Sequence, residues 1–243
     1  MPLTDGDWEL AENCYGYGSW DACHWFIGLE EGQAEGENDD FTERLKAFRK
    51  LNKEGLSDCR AFHVQIKYTG WHFKNEQTPN KKSPPLQRTW RPLMLLMKTF
   101  LKEPADNESL RAYQQEGWGD SAGQACVIEL SGLPARNTKT SKKRYSSLSD
   151  EEKRRLDNIR DKRLDFIHKK MIANKPKFVV IYGQDQKKYW MKFWKDNGVT
   201  RSRFGSNLKI ESTIIVFTRH PVQSPNKLWI ELGTKLRTDS DRS

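Results

Sequence analysis

The sequence predicts a three-layer α/β/α fold with a central four-stranded parallel sheet, in a single domain covering residues 1–243. Three observations predict it. Four short apolar runs rich in Val, Ile or Phe recur along the chain, as buried parallel strands do. Helical stretches separate them, and strands alternating with helices make a parallel sheet. Aromatic residues make up 11% of the chain, far above a disordered composition.

The strands are expected at His24–Leu29, Ala125–Leu130, Lys177–Tyr182 and Thr213–Thr218, each ending near Gly, Ser or Pro. Between them, Phe41–Lys53 repeats apolar residues at Phe41, Leu45, Phe48 and Leu51, the period of a helix face. Pro92–Leu101 is a second helix, with Thr89 as its expected N-cap. Ser149–Ala173 opens with the capping-box pattern Ser149-Asp150-Glu151-Glu152 and carries a stripe of Leu156, Ile159, Leu164, Ile167 and Met171. Helices at Gln184–Lys195 and Lys227–Leu236 complete the set. Two stretches are expected as loops: Lys74–Arg88, polar with three prolines, and Ala135–Ser149, basic and flexible.

The net charge is +9, but it is unevenly spread. Residues 1–40 hold no Lys or Arg and eleven of the 33 carboxylates, leaving 42 basic against 22 acidic residues beyond them. Residues 1–23 thus form an acidic N-terminal segment, and the rest suits a polyanionic partner. The basic helix with Lys153-Arg154-Arg155 and Lys162-Arg163 reads either as a phosphate-contacting surface or as a solvated face. A mean hydropathy of −0.89 and the lack of an apolar run of about 18 residues exclude an integral membrane protein. Met1-Pro2-Leu3-Thr4-Asp5 has no signal-peptide pattern. Cys14, Cys23, Cys59 and Cys126 match no zinc spacing, so reduced thiols in a cytoplasmic protein, with no structural metal, are expected.

Ligands of open parallel sheets bind beyond the carboxyl ends of the strands. There the sequence places Gly28-Leu29-Glu30-Glu31-Gly32, Glu129-Leu130-Ser131, Gly183 and Arg219-His220-Pro221. Carboxylates and an imidazole at one edge are the parts of a hydrolytic site. On composition alone, a His before Pro is equally a structural residue, and a Glu flanked by Gly a turn residue.

The order of these motifs resembles the uracil-DNA glycosylase superfamily over roughly Trp25 to Leu236. Gly28-Leu29-Glu30-Glu31-Gly32 sits where that family has its water-activating loop, and His220-Pro221-Val222 where it has its His-Pro-Ser motif. Ile181-Tyr182-Gly183 is similar to its third strand. The resemblance implies a glycosylase that flips a pyrimidine nucleotide and hydrolyses its N-glycosidic bond, without cofactor or metal. Glu30 would hold or deprotonate the water, with Glu31 as the alternative holder, and His220 would donate a hydrogen bond to the leaving base. Lys142, Lys143 and Arg144 would contact DNA, as would Gln223, Ser224 and Asn226 of the segment pressing into the vacated stack.

Departures from the family pattern bear on the base. Glu129 replaces the family's base-reading Asn, and an ionised carboxylate accepts only, which suits the amine of cytosine. Gly32 leaves room beside carbon 5 where uracil enzymes place a Tyr, and Gln33, with the acidic segment Gln33–Asp40, offers groups to sugar hydroxyls. The expected substrate is therefore cytosine modified at carbon 5, hydroxymethylated or glucosylated, in phage DNA, and the expected role antiviral defence by a cytoplasmic monomer. Excision of uracil or mismatched thymine in repair, and a non-catalytic nucleic-acid-binding module, are the competing expectations.

Overall fold

The computed structural model describes residues 3–32, 41–66, 72–73, 84–135, 138–183, 189–191 and 207–241. In chain order its elements are α1 (Asp5–Asn13), β1 (Gly16–Tyr17), β2 (His24–Gly32), α2 (Thr42–Leu51), β3 (Leu56–Ser57), α3 (Cys59–Gln65), α4 (Trp90–Leu101), α5 (Asn107–Glu116), β4 (Ala125–Ala135), α6 (Thr138–Ser147), α7 (Asp150–Asn174), β5 (Phe178–Tyr182), β6 (Asn207–Ile210), β7 (Thr213–Thr218), a 3-10 turn (Pro221–Gln223) and α8 (Asn226–Asp241).

The four apolar runs form β2, β4, β5 and β7, which are neighbours and mutually parallel. They are the centre of a larger mixed sheet rather than a sheet of four: its seven strands run β3-β1-β4-β2-β5-β7-β6. The added strands carry no apolar run to announce them. β1 and β3 are two residues each, and β1 is antiparallel to β4. Gly16 in β1 has φ +131°, and a Cβ there would overlap the Val127 carbonyl oxygen, so only Gly allows this approach to β4. β6 folds back on β7 through a turn in which Glu211 takes φ +51°.

Successive residues of a strand face opposite sides, and the core divides accordingly. Phe26, Val127, Val180 and Val216 pack with Leu93 and Met97 of α4 and Trp229 and Leu236 of α8. Ile27, Ile128, Ile181 and Ile215 pack with Leu164, Ile167 and Met171 of α7. Helices therefore cover both faces. Each such buried side chain contributes about 1.5–3 kcal/mol, so the two-sided burial anchors the centre of the sheet.

The acidic N-terminal segment packs on the body. The Thr4–Asp7 capping box starts α1, and Trp8, Leu10 and Ala11 are buried. Its acids meet the basic surface: Arg49 donates to Glu9 at 2.9 Å, and Arg155 donates to Glu12 at 3.0 Å while lying over the Trp8 ring. The Ser149 capping box forms at the start of α7. Thr89 holds the N-cap position of α4 as expected, but its side chain makes no capping hydrogen bond; the Gln87 side-chain oxygen takes the Trp90 N–H instead, at 2.7 Å.

The expected flexible loop Ala135–Ser149 is corrected. β4 runs through Ala135, and most of the stretch is helix α6. Its anchor is tertiary: Arg144 donates to the Pro134 carbonyl at 2.9 Å and lies over the Phe41 ring, and Leu148 is buried. Of the expected loop Lys74–Arg88, residues 74–83 lie outside the described residues, as does most of the expected helix Gln184–Lys195. Among the described residues no helix is long and apolar enough to cross a membrane.

His24 opens β2 as a buried imidazole. Its Nδ1 lies 3.1 Å from the Gln124 carbonyl, its Nε2 has no partner among the described residues, and the rings of Phe100 and Phe178 pack on it. Burial pulls its pKa from 6.5 down to about 4. The unfolded chain thus takes up a proton that the folded chain refuses, so this contribution is complete above pH 6.5 and is lost as pH falls from 6.5 towards 4. Urea titrations across that window should show wild type losing about 3 kcal/mol more than His24→Phe. Parallel losses in the two proteins would refute the assignment.

Candidate active site

The carboxyl ends of the four parallel strands meet at one edge of the sheet. Gly28 of β2 pairs with Glu129 of β4, and Tyr182 of β5 pairs with Thr218 of β7. Because Ile27 pairs with Ile181, Tyr182 stands beside Gly28 in the same row. The missing side chain of Gly28 leaves a gap in this row. A Cβ there would overlap both Glu129 Oε2 and Tyr182 Oη. The two side chains therefore reach over β2, and the Tyr182 hydroxyl donates to Glu129 Oε1 at 3.3 Å. Glu129 Oε2 is buried without a partner among the described residues. The His220 ring stands edge-on to Tyr182, with centroids 6.0 Å apart.

Glu30 and His220 each follow this row by two residues, Glu30 on β2 and His220 in the turn after β7. Their side chains are in different surroundings. The β2–β4 pairing slips between Glu30 and Gly32, and neighbouring acids go to different partners. Glu30 turns to α6, where it is hydrogen-bonded to Ser141 and lines a cavity of about 510 Å³ with Ser131, Lys142 and Arg144. Glu31 turns to α2 and α3, accepting from Arg44 at 2.8 Å and lying 3.3 Å from His63 Nε2, with Tyr17 as a further hydrogen-bond partner. His220 is not among the residues lining the cavity that Glu30 opens to.

The three carboxyl groups are driven apart electrostatically. For Glu31, burial alone would raise the pKa, but Arg44, His63 and Tyr17 outweigh it and hold the group at about 2. Glu129 is pushed well above the carboxylate range, by burial first and then by the negative charge of Glu31; the Tyr182 hydrogen bond only partly opposes this. Burial also raises Glu30, against Ser141 and Arg144. The two neighbouring acids are thus pushed in opposite directions, Glu31 towards the ionised form and Glu129 towards the protonated one, the divergence that assigns different roles to paired acids. Burial lowers the His220 pKa, which favours the neutral imidazole. Burial likewise favours the protonated form of Glu129, and a carboxylic acid presents a donor and an acceptor together, where the expected ionised carboxylate accepts only.

Arg163 of α7 supports the row from below. Fully buried, it donates to the carbonyls of Glu129 at 2.6 Å, Leu130 at 2.8 Å and Ala11 at 3.2 Å, fixing the backbone that carries Glu129.

The remaining expected residues are dispersed. Gly32 is exposed, and a Cβ there would meet nothing within 4 Å. Gln33 lies outside the described residues. Lys142 and Lys143 are exposed on α6, whereas Arg144 already serves the Pro134 carbonyl and Phe41. Gln223 is exposed, Ser224 half-buried, and Asn226 accepts from Arg91 at 3.0 Å. Arg163, expected with Lys162 on a phosphate-contacting or solvated face, is instead buried, because its guanidinium is taken up by three backbone carbonyls. Two site residues escaped the sequence reading: Tyr182 was signalled only by a hydroxyl at the end of an apolar strand, and Arg44 by a charge three places after Phe41 on the apolar face of α2.

The chain matches no known protein family, and no curated protein matches it.

The gap over β2 makes Gly28 a sharp probe. Gly28→Ala should destabilise the fold by about 1–3 kcal/mol, the range for forcing a methyl into a packed site. Thermal and urea unfolding would measure it, and a variant as stable as wild type would show that Glu129 and Tyr182 do not need the gap.

Proposed function

We propose that this chain is a DNA glycosylase that extrudes a pyrimidine nucleotide and hydrolyses its N-glycosidic bond, with carbon-5-modified cytosine in phage DNA as its substrate. The observation that carries this reading is the row at the sheet edge: a buried Glu129 held over Gly28 by Tyr182, with the His220 imidazole beside Tyr182 and with burial favouring the acid's protonated form.

Each group has a chemical task in such a reaction. The Glu129 O–H donates to the ring nitrogen of cytosine while its carbonyl oxygen accepts from the exocyclic amine. The same acid also fits the edge of uracil with the roles of the ring atoms exchanged, so selection for a substituted cytosine falls to the open space at Gly32. Cleavage gives the sugar oxocarbenium character and leaves negative charge on the base. A neutral His220 donates its N–H to the base carbonyl where that charge develops. Glu30, half-buried with a raised pKa and open to a cavity, orients and deprotonates the water. Glu31 acts through Glu129: its fixed negative charge keeps the neighbouring acid protonated. The basic α6 and the exposed turn after His220 serve the phosphate backbone, and Val222, 48% exposed, is the apolar residue there that faces solvent. Residues 33–40, assigned to sugar hydroxyls, lie outside the described residues.

Oligonucleotides carrying uracil, cytosine, hydroxymethylcytosine or glucosylated hydroxymethylcytosine, followed by alkali cleavage at abasic sites, test the reading. Release of substituted cytosine alone is expected. Release of uracil alone would move the chain to repair, and no release from any of them would leave a nucleic-acid-binding module. In the active assay, His220→Ala should cost about 10²–10³ in kcat and Glu30→Gln about 10²–10⁴. Glu31→Gln should move the alkaline limb of the pH profile to lower pH, since Glu129 then ionises more easily.

A further inference from the structure

A second cavity opens beside the turn that carries His220. It measures about 440 Å³ and is walled by residues immediately before and after His220 and by α8. Two of its lining residues hold buried polar atoms with no hydrogen-bond partner among the described residues: Thr218 Oγ1 and Trp229 Nε1. The residues are 9% and 2% exposed. An unpaired buried donor destabilises a fold unless something else takes its hydrogen bond. Arg219 and Lys235 add positive charge to the same lining, and Leu228, 51% exposed, and Leu232 make it partly apolar. Its carboxylate, Glu231, faces Lys227 at 3.9 Å.

A lining this rich in donors suits a ligand with a charged acceptor on a partly apolar body. We infer that this cavity binds a nucleotide flanking the extruded one, taking its phosphodiester with Arg219, Lys235, Thr218 and Trp229. The inference rests on the nucleic-acid reading of the sheet edge. A strand whose base reaches His220 has to run past the residues on either side of it, and those residues line this cavity. The two buried donors are covered in the free chain, so the nucleotide reaches them by displacing a wall side chain such as Leu228, which is half in solvent.

Fluorescence anisotropy with a short labelled oligothymidylate tests this on the full chain, with thymidine monophosphate and inorganic phosphate as competitors. The double variant Thr218→Val with Trp229→Phe removes both donors. It should raise Kd for the strand by about tenfold or more while the chain still folds cooperatively, its melting temperature lowered only as far as the smaller ring at position 229 requires. Should that variant fold poorly, the donors are structural and the inference fails for them. The exposed pair Arg219→Ala with Lys235→Ala then tests the site independently, and should flatten the salt dependence of strand binding by about 0.7 logarithmic units for each phosphate that is no longer neutralised. Unchanged affinity and salt slope in the variants would overturn the inference, as would monophosphate competing as well as the strand, which would make this a free-nucleotide site. Base release measured in parallel separates the two claims. Variants that bind like wild type sink the cavity and leave the glycosylase standing, whereas weakened binding without base release by wild type does the reverse.

Discussion

The site depends on an absence, the missing side chain of Gly28. β2 lies between β4 and β5, and any Cβ at this position would block the space where Glu129 and Tyr182 meet. With Gly there, two polar side chains from strands that do not touch each other share a hydrogen bond above the middle strand. His220 then stands against Tyr182, so the row joins three parallel strands and the turn after a fourth. Arg163 completes the arrangement by pinning the backbone of Glu129 and Leu130 to the end of α1.

That geometry sets the electrostatics. Three acids cluster near one sheet edge, and they cannot all ionise in a buried setting at little cost. Arg44 pairs with Glu31, and His63 and Tyr17 are hydrogen-bonded to it, so the carboxyl keeps its charge. Glu129 has no such partner at hand: Arg163 directs its hydrogen bonds to carbonyls, and Glu31 repels a second charge. Burial at Glu129 thus favours a neutral acid able to donate as well as accept, and the choice between cytosine and uracil passes to the shape of the surroundings.

The basic body and the acidic start of the chain also find a structural meaning together. α1 lays Glu9 and Glu12 on Arg49 and Arg155, so part of the positive charge is consumed inside the molecule. The exposed Lys142 and Lys143 of α6 and the residues around His220 remain as outward-facing positive or polar surface at the carboxyl end of the sheet.

The central strands were legible because burial on both faces demands continuous apolar runs: Thr213–Thr218 is read to the residue, and the His24 and Ala125 starts likewise. The long helix after Ser149 announced itself through its capping box. The two-residue strands β1 and β3 left no pattern, since their pairing is supplied by β4 and by a Gly whose conformation no side chain could share. Helix α6 was hidden for a related reason: its sequence is polar and basic, and it is held by Arg144 contacts to residues far away in the chain. Motif order alone brought Glu30, Glu129 and His220 to one edge. Sequence could not say that Glu30 and Glu31 part company, that burial favours a proton on Glu129, or that Tyr182 links it to His220. Those outcomes follow from a slipped strand pairing and from charges brought close by folding, and neither distance nor burial is written in residue order.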